Sequence, residues 1–105
     1  MPIVVTEENF DQAVLSVPGL VVLDVYATWC PPCQQMEPII IELERELGAA
    51  CLFAKLNVEE ARDLSIKLQV TSVPTFIFIV DGKIKDKTIG SMSKQQMKTK
   101  IESYL

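Results

Sequence analysis

Trp29-Cys30-Pro31-Pro32-Cys33 joins two stretches of opposite character. Ahead of it, Leu20-Val21-Val22-Leu23-Asp24-Val25-Tyr26 is apolar and largely β-branched, the pattern of a central strand covered on both sheet faces. Behind it, Met36, Ile39, Ile40, Leu43 and Leu47 recur at helical spacing, with Glu42, Glu44, Arg45 and Glu46 mostly opposite. Two thiols are therefore presented where a buried strand hands over to a helix. Asp24 is the single charge in that strand.

Working outward, Ile3-Val4-Val5 is a short strand, and Thr6 is placed to cap a helix whose buried stripe is Phe10, Ala13, Val14 and Val17. Pro18-Gly19 stops it. Pro38 predicts a kink in the helix after the cysteines, and Gly48 ends that helix. Cys51 to Asn57 reads as a third strand. Asn57 with Glu60 resembles a cap, followed by an apolar face of Ala61, Leu64 and Leu68. Phe76 to Val80 and Lys83 to Ile89 are strands joined by Asp81-Gly82, a hairpin signal, and the lysines of the second suit an exposed edge. Ser93 and Gln96 form a capping box for a last helix with Met97, Ile101, Tyr104 and Leu105 inward. The order is that of an α/β domain spanning residues 1–105, parallel strands first and an antiparallel hairpin late.

Composition narrows the chemistry. The 105 residues are 49% hydrophobic and 23% charged, a globular balance. With three Cys and no His, neither a Cys-His nucleophile pair nor a Cys₂His₂ zinc site can be built. The four glycines form no nucleotide-binding fingerprint. The net charge of −4 argues against nucleic acid, although residues 1–66 hold 11 acids and 3 bases while residues 67–105 hold 3 acids and 7 bases. No apolar run approaches the roughly 20 residues of a membrane span, and no signal peptide is visible. A cytoplasmic protein is expected, where a permanent structural disulfide is unusual.

Disulfide exchange requires a thiolate, because the thiol is a poor nucleophile. A helix starting at Pro32-Cys33 would favour negative charge at Cys30 through its unpaired N–H groups and dipole. Cys33, one turn on, can attack a mixed disulfide formed at Cys30 and release the product. The plain alternatives are a metal half-site or two ordinary core thiols. Two prolines inside the pair and an indole before it suit a presented redox loop better.

Across essentially its whole length the chain resembles the thioredoxin family. The resemblance rests on Asp24-Val25-Tyr26-Ala27, the pair Cys30 and Cys33, Pro38, Lys55-Leu56-Asn57-Val58, Val73-Pro74-Thr75, Asp81-Gly82 and Gly90. It implies the thioredoxin fold, a mixed five-stranded sheet flanked by four helices. It implies that Cys30 is an exposed nucleophile, Cys33 a buried resolving thiol, and the two together a redox-active disulfide. Asp24 becomes a buried carboxylate that moves the proton of Cys33, with Lys55 as its neighbour. Pro74 becomes a cis proline, with the Val73 backbone offering hydrogen bonds to an extended client. Trp29, Val73, Pro74 and Gly90 would form a flat docking surface, edged by Pro31 and Pro32.

One departure is definite. Pro31 stands where the family typically has Gly, which removes an N–H near Cys30 and restricts Cys30 to extended conformations. The sign of the resulting change in potential does not follow from this. The absence of His between the cysteines leans towards a reductase. The expected activity is that of a protein-disulfide reductase carrying electrons from a thioredoxin reductase to client disulfides. That donor is expected to be an NADPH-dependent flavoprotein, a ferredoxin-linked enzyme being the other source. A monomer with no cofactor or metal of its own is expected. The competing reading is a binding or assembly subunit in which the dithiol is incidental. Cys51 reads as a small core hydrophobe.

Overall fold

The computed structural model describes residues 1–105. Five strands form one sheet: β1 (Ile3–Val5), β2 (Leu20–Tyr26), β3 (Leu52–Asn57), β4 (Thr75–Val80) and β5 (Lys83–Ile89). Three α-helices, α1 (Pro31–Leu47), α2 (Arg62–Lys67) and α3 (Lys94–Glu102), join a short wide-turn helix at Asp11–Leu15. The sheet order is β1-β3-β2-β4-β5, so the Cys-bearing segment leaves the central strand. β1 and β2 run parallel to β3, whereas β4 is antiparallel to β2 and β5 to β4.

Side-chain alternation along β2 divides the core into two layers. Val21, Leu23 and Val25 pack with Phe10, Val14 and Leu68 under the first helix and α2. Leu20 and Val22 pack with Met36, Ile40, Leu43, Met97 and Ile101 under α1 and α3. Every apolar residue of β2 from Leu20 to Val25 is at most 3% exposed, as the unbroken apolar run requires. Asp24, next on the even-numbered side, is consequently turned towards α1.

The sequence placed the antiparallel pairing only in the late hairpin, yet it begins one strand earlier. The short α2 suits this return. Six residues of helix advance the chain about 9 Å, far less than the roughly 20 Å of a six-residue strand. The chain re-enters the sheet at the end where β2 and β3 finish, with Thr75 opposite Val25. That turn delivers Val73-Pro74 to the Cys30 end of the sheet.

Other differences are local. The first helix closes a five-residue turn, Ser16 N–H donating to Asp11 O at 2.9 Å, with Thr6 and Asn9 exchanging side-chain bonds ahead of it. Asn57 Oδ1 accepts from Glu59 N–H at 2.8 Å and stabilises a turn, so α2 starts later than the expected cap and has no side-chain cap. α1 continues through Pro38 without ending. Leu105, expected inward, is 56% exposed because α3 has already ended. The Ser93–Gln96 capping box forms as expected.

The β4–β5 turn uses Asp81 and Gly82, both at positive φ. A Cβ on Gly82 would also meet the backbone oxygen of Leu15. Gly82→Ala is therefore expected to lower the unfolding free energy by at least about 1–2 kcal/mol, measured by urea denaturation with an unchanged slope.

Candidate active site

Cys30 ends the loop from β2 and is the N-cap of α1, with φ −93° and ψ 109°. The extended conformation is the one permitted before Pro31. Proline is tolerated at both following positions because first-turn N–H groups have no helical acceptor. The prolines also leave this helix end few donors. Cys33 N–H points at Cys30 Sγ, 3.2 Å away, and Gln34 N–H is already taken by Cys30 O at 3.1 Å. The two cysteines are disulfide-bonded, their Cα atoms 5.2 Å apart.

Both sulfur-bearing residues are buried, Cys30 at 2% and Cys33 at 6% exposure, so the expected exposed Cys30 is not what the oxidised form shows. The reason is packing: Ala27, Val58 and Val73 surround the pair, and Val73 O lies 3.8 Å from Cys30 Sγ. Access differs by direction. Cys30 opens onto a shallow groove of about 740 Å³ lined by Trp29, Pro31, Pro32, Ile66, Val70 and Val73, among others. Cys33 instead lines a separate cavity of about 310 Å³ shared with Asp24, Tyr26, Glu37 and Lys55. The disulfide thus divides an outer surface from an inner chamber.

On the outer side Trp29 is 67% exposed. The Val73–Pro74 peptide is cis and Pro74 is buried behind the groove. Val73 N–H has no acceptor within the chain. Gly90 donates to Pro74 O at 2.8 Å, has φ +93°, and would direct a Cβ into open space. Gly90 is linked to the groove through Pro74 rather than forming its wall.

On the inner side Asp24 and Lys55 are register partners on adjacent strands. They make no direct ion pair. The Lys55 ammonium stands 6.0 Å from the centre of the Tyr26 ring. Asp24 Oδ1 is buried and has no hydrogen-bond donor. Burial pushes the Asp24 carboxyl up to about 7, Lys55 opposing the rise and Glu37 adding to it. Cys51, away from this chamber, is buried against Leu47 O, and burial pushes its thiol up to about 11. It is inert packing, as the sequence indicated.

Sequence reading missed the clamp that holds the Trp29 loop. Glu59 Oε1 accepts from Thr28 N–H at 2.9 Å and from its hydroxyl at 2.8 Å, while Gln34 Nε2 donates to Thr28 O at 2.9 Å. The Thr28 bonds hold the Glu59 carboxyl below its usual range. Nothing in the spacing links residues so far apart. Ile66 was more legible: it falls outside the buried stripe of α2 and is 62% exposed in the groove.

Asp24 generates a stability prediction. Between about pH 4 and pH 7 the unfolded chain releases this proton while the folded chain keeps it. The contribution of Asp24 to stability therefore falls across that window, by up to about 4 kcal/mol, and levels off above it. Asp24→Asn should match the parent near pH 4 and exceed it increasingly up to pH 7, read by urea unfolding at pH 4, 6 and 8. A gap that stays constant over this range would contradict the assignment.

With the geometry established, comparison with known proteins is direct. The thioredoxin family model matches residues 1–103. Thioredoxin of Staphylococcus saprophyticus is 36% identical over 101 residues, covering 96% of this chain and 95% of its own. Thioredoxin of Pseudomonas aeruginosa is 32% identical over 101 residues, covering 96% and 94%. The chloroplastic M-type thioredoxin of Pisum sativum is 34% identical over 97% of this chain, which spans 59% of that longer protein. A solved mutant thioredoxin from Halobacterium salinarum superposes with a TM-score of 0.90 at 32% identity, over 98% of this chain and 89% of that one.

Proposed function

The chain belongs to the thioredoxin family and is a thiol-disulfide oxidoreductase acting on protein disulfides, and from that premise we propose how its residues divide the reaction. The observation that carries the division is the opposed access of the two sulfurs, Cys30 to the groove and Cys33 to the Asp24 chamber.

In the reduced protein the Cys30 thiolate attacks one sulfur of a client disulfide. The S–S bond breaks, the first client sulfur leaves as a thiolate and takes up a proton, and a mixed disulfide forms. The Asp24 carboxylate then accepts the Cys33 thiol proton. Cys33 attacks Cys30 Sγ, and the second client sulfur departs and is protonated in turn. The client gains two electrons and two protons, and Cys30–Cys33 becomes the disulfide. Asp24 suits this role because its burial places it near neutrality. Lys55 keeps its affinity for the proton from rising further.

Client binding belongs to the groove. Trp29, Val73, Pro31 and Pro32 supply apolar contact, and the unused Val73 N–H and nearby carbonyl suit an extended segment pairing as a strand. Gly90 lies outside the groove and reaches it only through its bond to Pro74 O. With only one first-turn N–H aimed at Cys30 Sγ, the thiolate relies on Cys33 N–H more than a donor-rich helix start would require.

The protein would act as a cytoplasmic monomer, recharged by a thioredoxin reductase of the NADPH-flavoprotein type and spending its electrons on client proteins. No helix is long and apolar enough to cross a membrane. The decisive experiment is a trap. Cys33→Ser should accumulate client proteins disulfide-linked through Cys30, and the Cys30→Ser/Cys33→Ser double variant should accumulate none. The wild type should accelerate reduction of a model protein disulfide, and either single Ser variant should fall to background. Equal capture by single and double variants would sink this reading in favour of a binding subunit.

A further inference from the structure

The chamber behind the disulfide holds one acid that the exchange reaction does not require. Glu37 lies on α1 four positions after Cys33, so both project from one face of the helix into the same cavity. Asp24 and Tyr26 face that cavity from β2, and Lys55 faces it from β3. The N-terminal amino group, also at its wall, is paired with Glu44 at 2.6 Å. Asp24 therefore meets one free cation, Lys55, and one free carboxylate, Glu37.

Asp24 is unusually responsive to such charges. Its Oδ1 is buried without a donor, so no fixed hydrogen bond at that atom sets its preference between charged and neutral forms. Lys55 does not neutralise it by contact, because its ammonium is engaged over the Tyr26 ring. What remains is longer-range electrostatics across a chamber with protein walls, where screening is weaker than in open water. Glu37 itself is exposed, at the solvent side. From there its field reaches inward.

We propose that Glu37 is a tuning residue of the proton site, whose negative charge opposes that of Lys55 across the chamber and holds the proton on Asp24. The inference rests on the reading of Asp24 as proton acceptor for Cys33. Its consequence is kinetic. Glu37 makes Asp24 a stronger base once ionised and delays its ionisation to higher pH, so resolution of the mixed disulfide gains speed only as the solution approaches neutrality. Glu37 touches no reacting atom and acts through Asp24.

Two measurements separate this inference from the reading beneath it. The Asp24 carboxyl carbon is titrated by NMR in the oxidised protein, and the pH profile of mixed-disulfide resolution is followed by single-turnover release of a client peptide. Glu37→Gln should move the Asp24 midpoint to lower pH by roughly half a unit and Glu37→Lys about twice as far. Glu37→Asp should retain most of the parent value, and Lys55→Gln should move it the other way. The resolution profile should move with the midpoint. In an Asp24→Asn background Glu37→Gln should leave the profile unchanged, an effect that a merely structural role would not produce. An Asp24 midpoint that stays fixed in Glu37→Lys while Lys55→Gln shifts it overturns the inference. A midpoint that moves without the resolution profile overturns the role given to Asp24.

Discussion

Placement of Val73-Pro74 against the Cys30 sulfur follows from the antiparallel entry of β4 beside the end of β2. A crossover long enough to return the chain to the start of the sheet would have made β4 parallel and carried Pro74 to the opposite end. The connection instead contains only the six-residue α2, and the chain turns back where β2 and β3 end. The turn brings together the end of β2, the start of α1 and the entry to β4. The groove, the disulfide and the unused Val73 N–H are consequences of that placement.

The same geometry gives the two cysteines unlike surroundings although only two residues separate them. Cys30 caps the helix from outside and faces the groove, whereas Cys33, within the first turn, faces the sheet and the chamber containing Asp24. In the proposed reaction one sulfur meets the client and the other is deprotonated internally, a division that these unlike surroundings suit. The clamp from Glu59 to Thr28 fixes the loop just before this junction, so the exposed indole of Trp29 follows a residue held through its N–H, hydroxyl and carbonyl.

Strong periodic patterns were legible in the sequence. The apolar run of β2, the stripe of α1, the Asp81-Gly82 turn and the Ser93–Gln96 box each specify a local structure through residues close together in the chain. Contacts set by packing between distant segments were not. Glu59 meets Thr28 only because two loops emerge at the same end of the sheet, and no periodicity encodes that meeting. The direction of β4 is set by where the 58–74 connection re-enters the sheet, which no local pattern records. The expected exposure of Cys30 failed for a related reason: resemblance conveys the role of a residue but not how closely Ala27, Val58 and Val73 pack around it in the oxidised form.

Asp24 shows where fold and function pull apart. Its neighbours in β2 are fully buried aliphatics, and an aliphatic residue there would remove a carboxyl oxygen that has no hydrogen-bond partner. Folding alone favours that replacement, and favours it most strongly near neutral pH, where the carboxyl begins to ionise. The acid is therefore best understood through what it contributes to the chamber beside Cys33. Pro31 shifts the balance at the other sulfur. By removing an N–H it leaves the outer sulfur a single backbone donor, from Cys33, while the inner sulfur shares its cavity with the buried Asp24 carboxyl. On the inner side the charge of Asp24 is set first by its burial, with Lys55 opposing that effect and Glu37 reinforcing it.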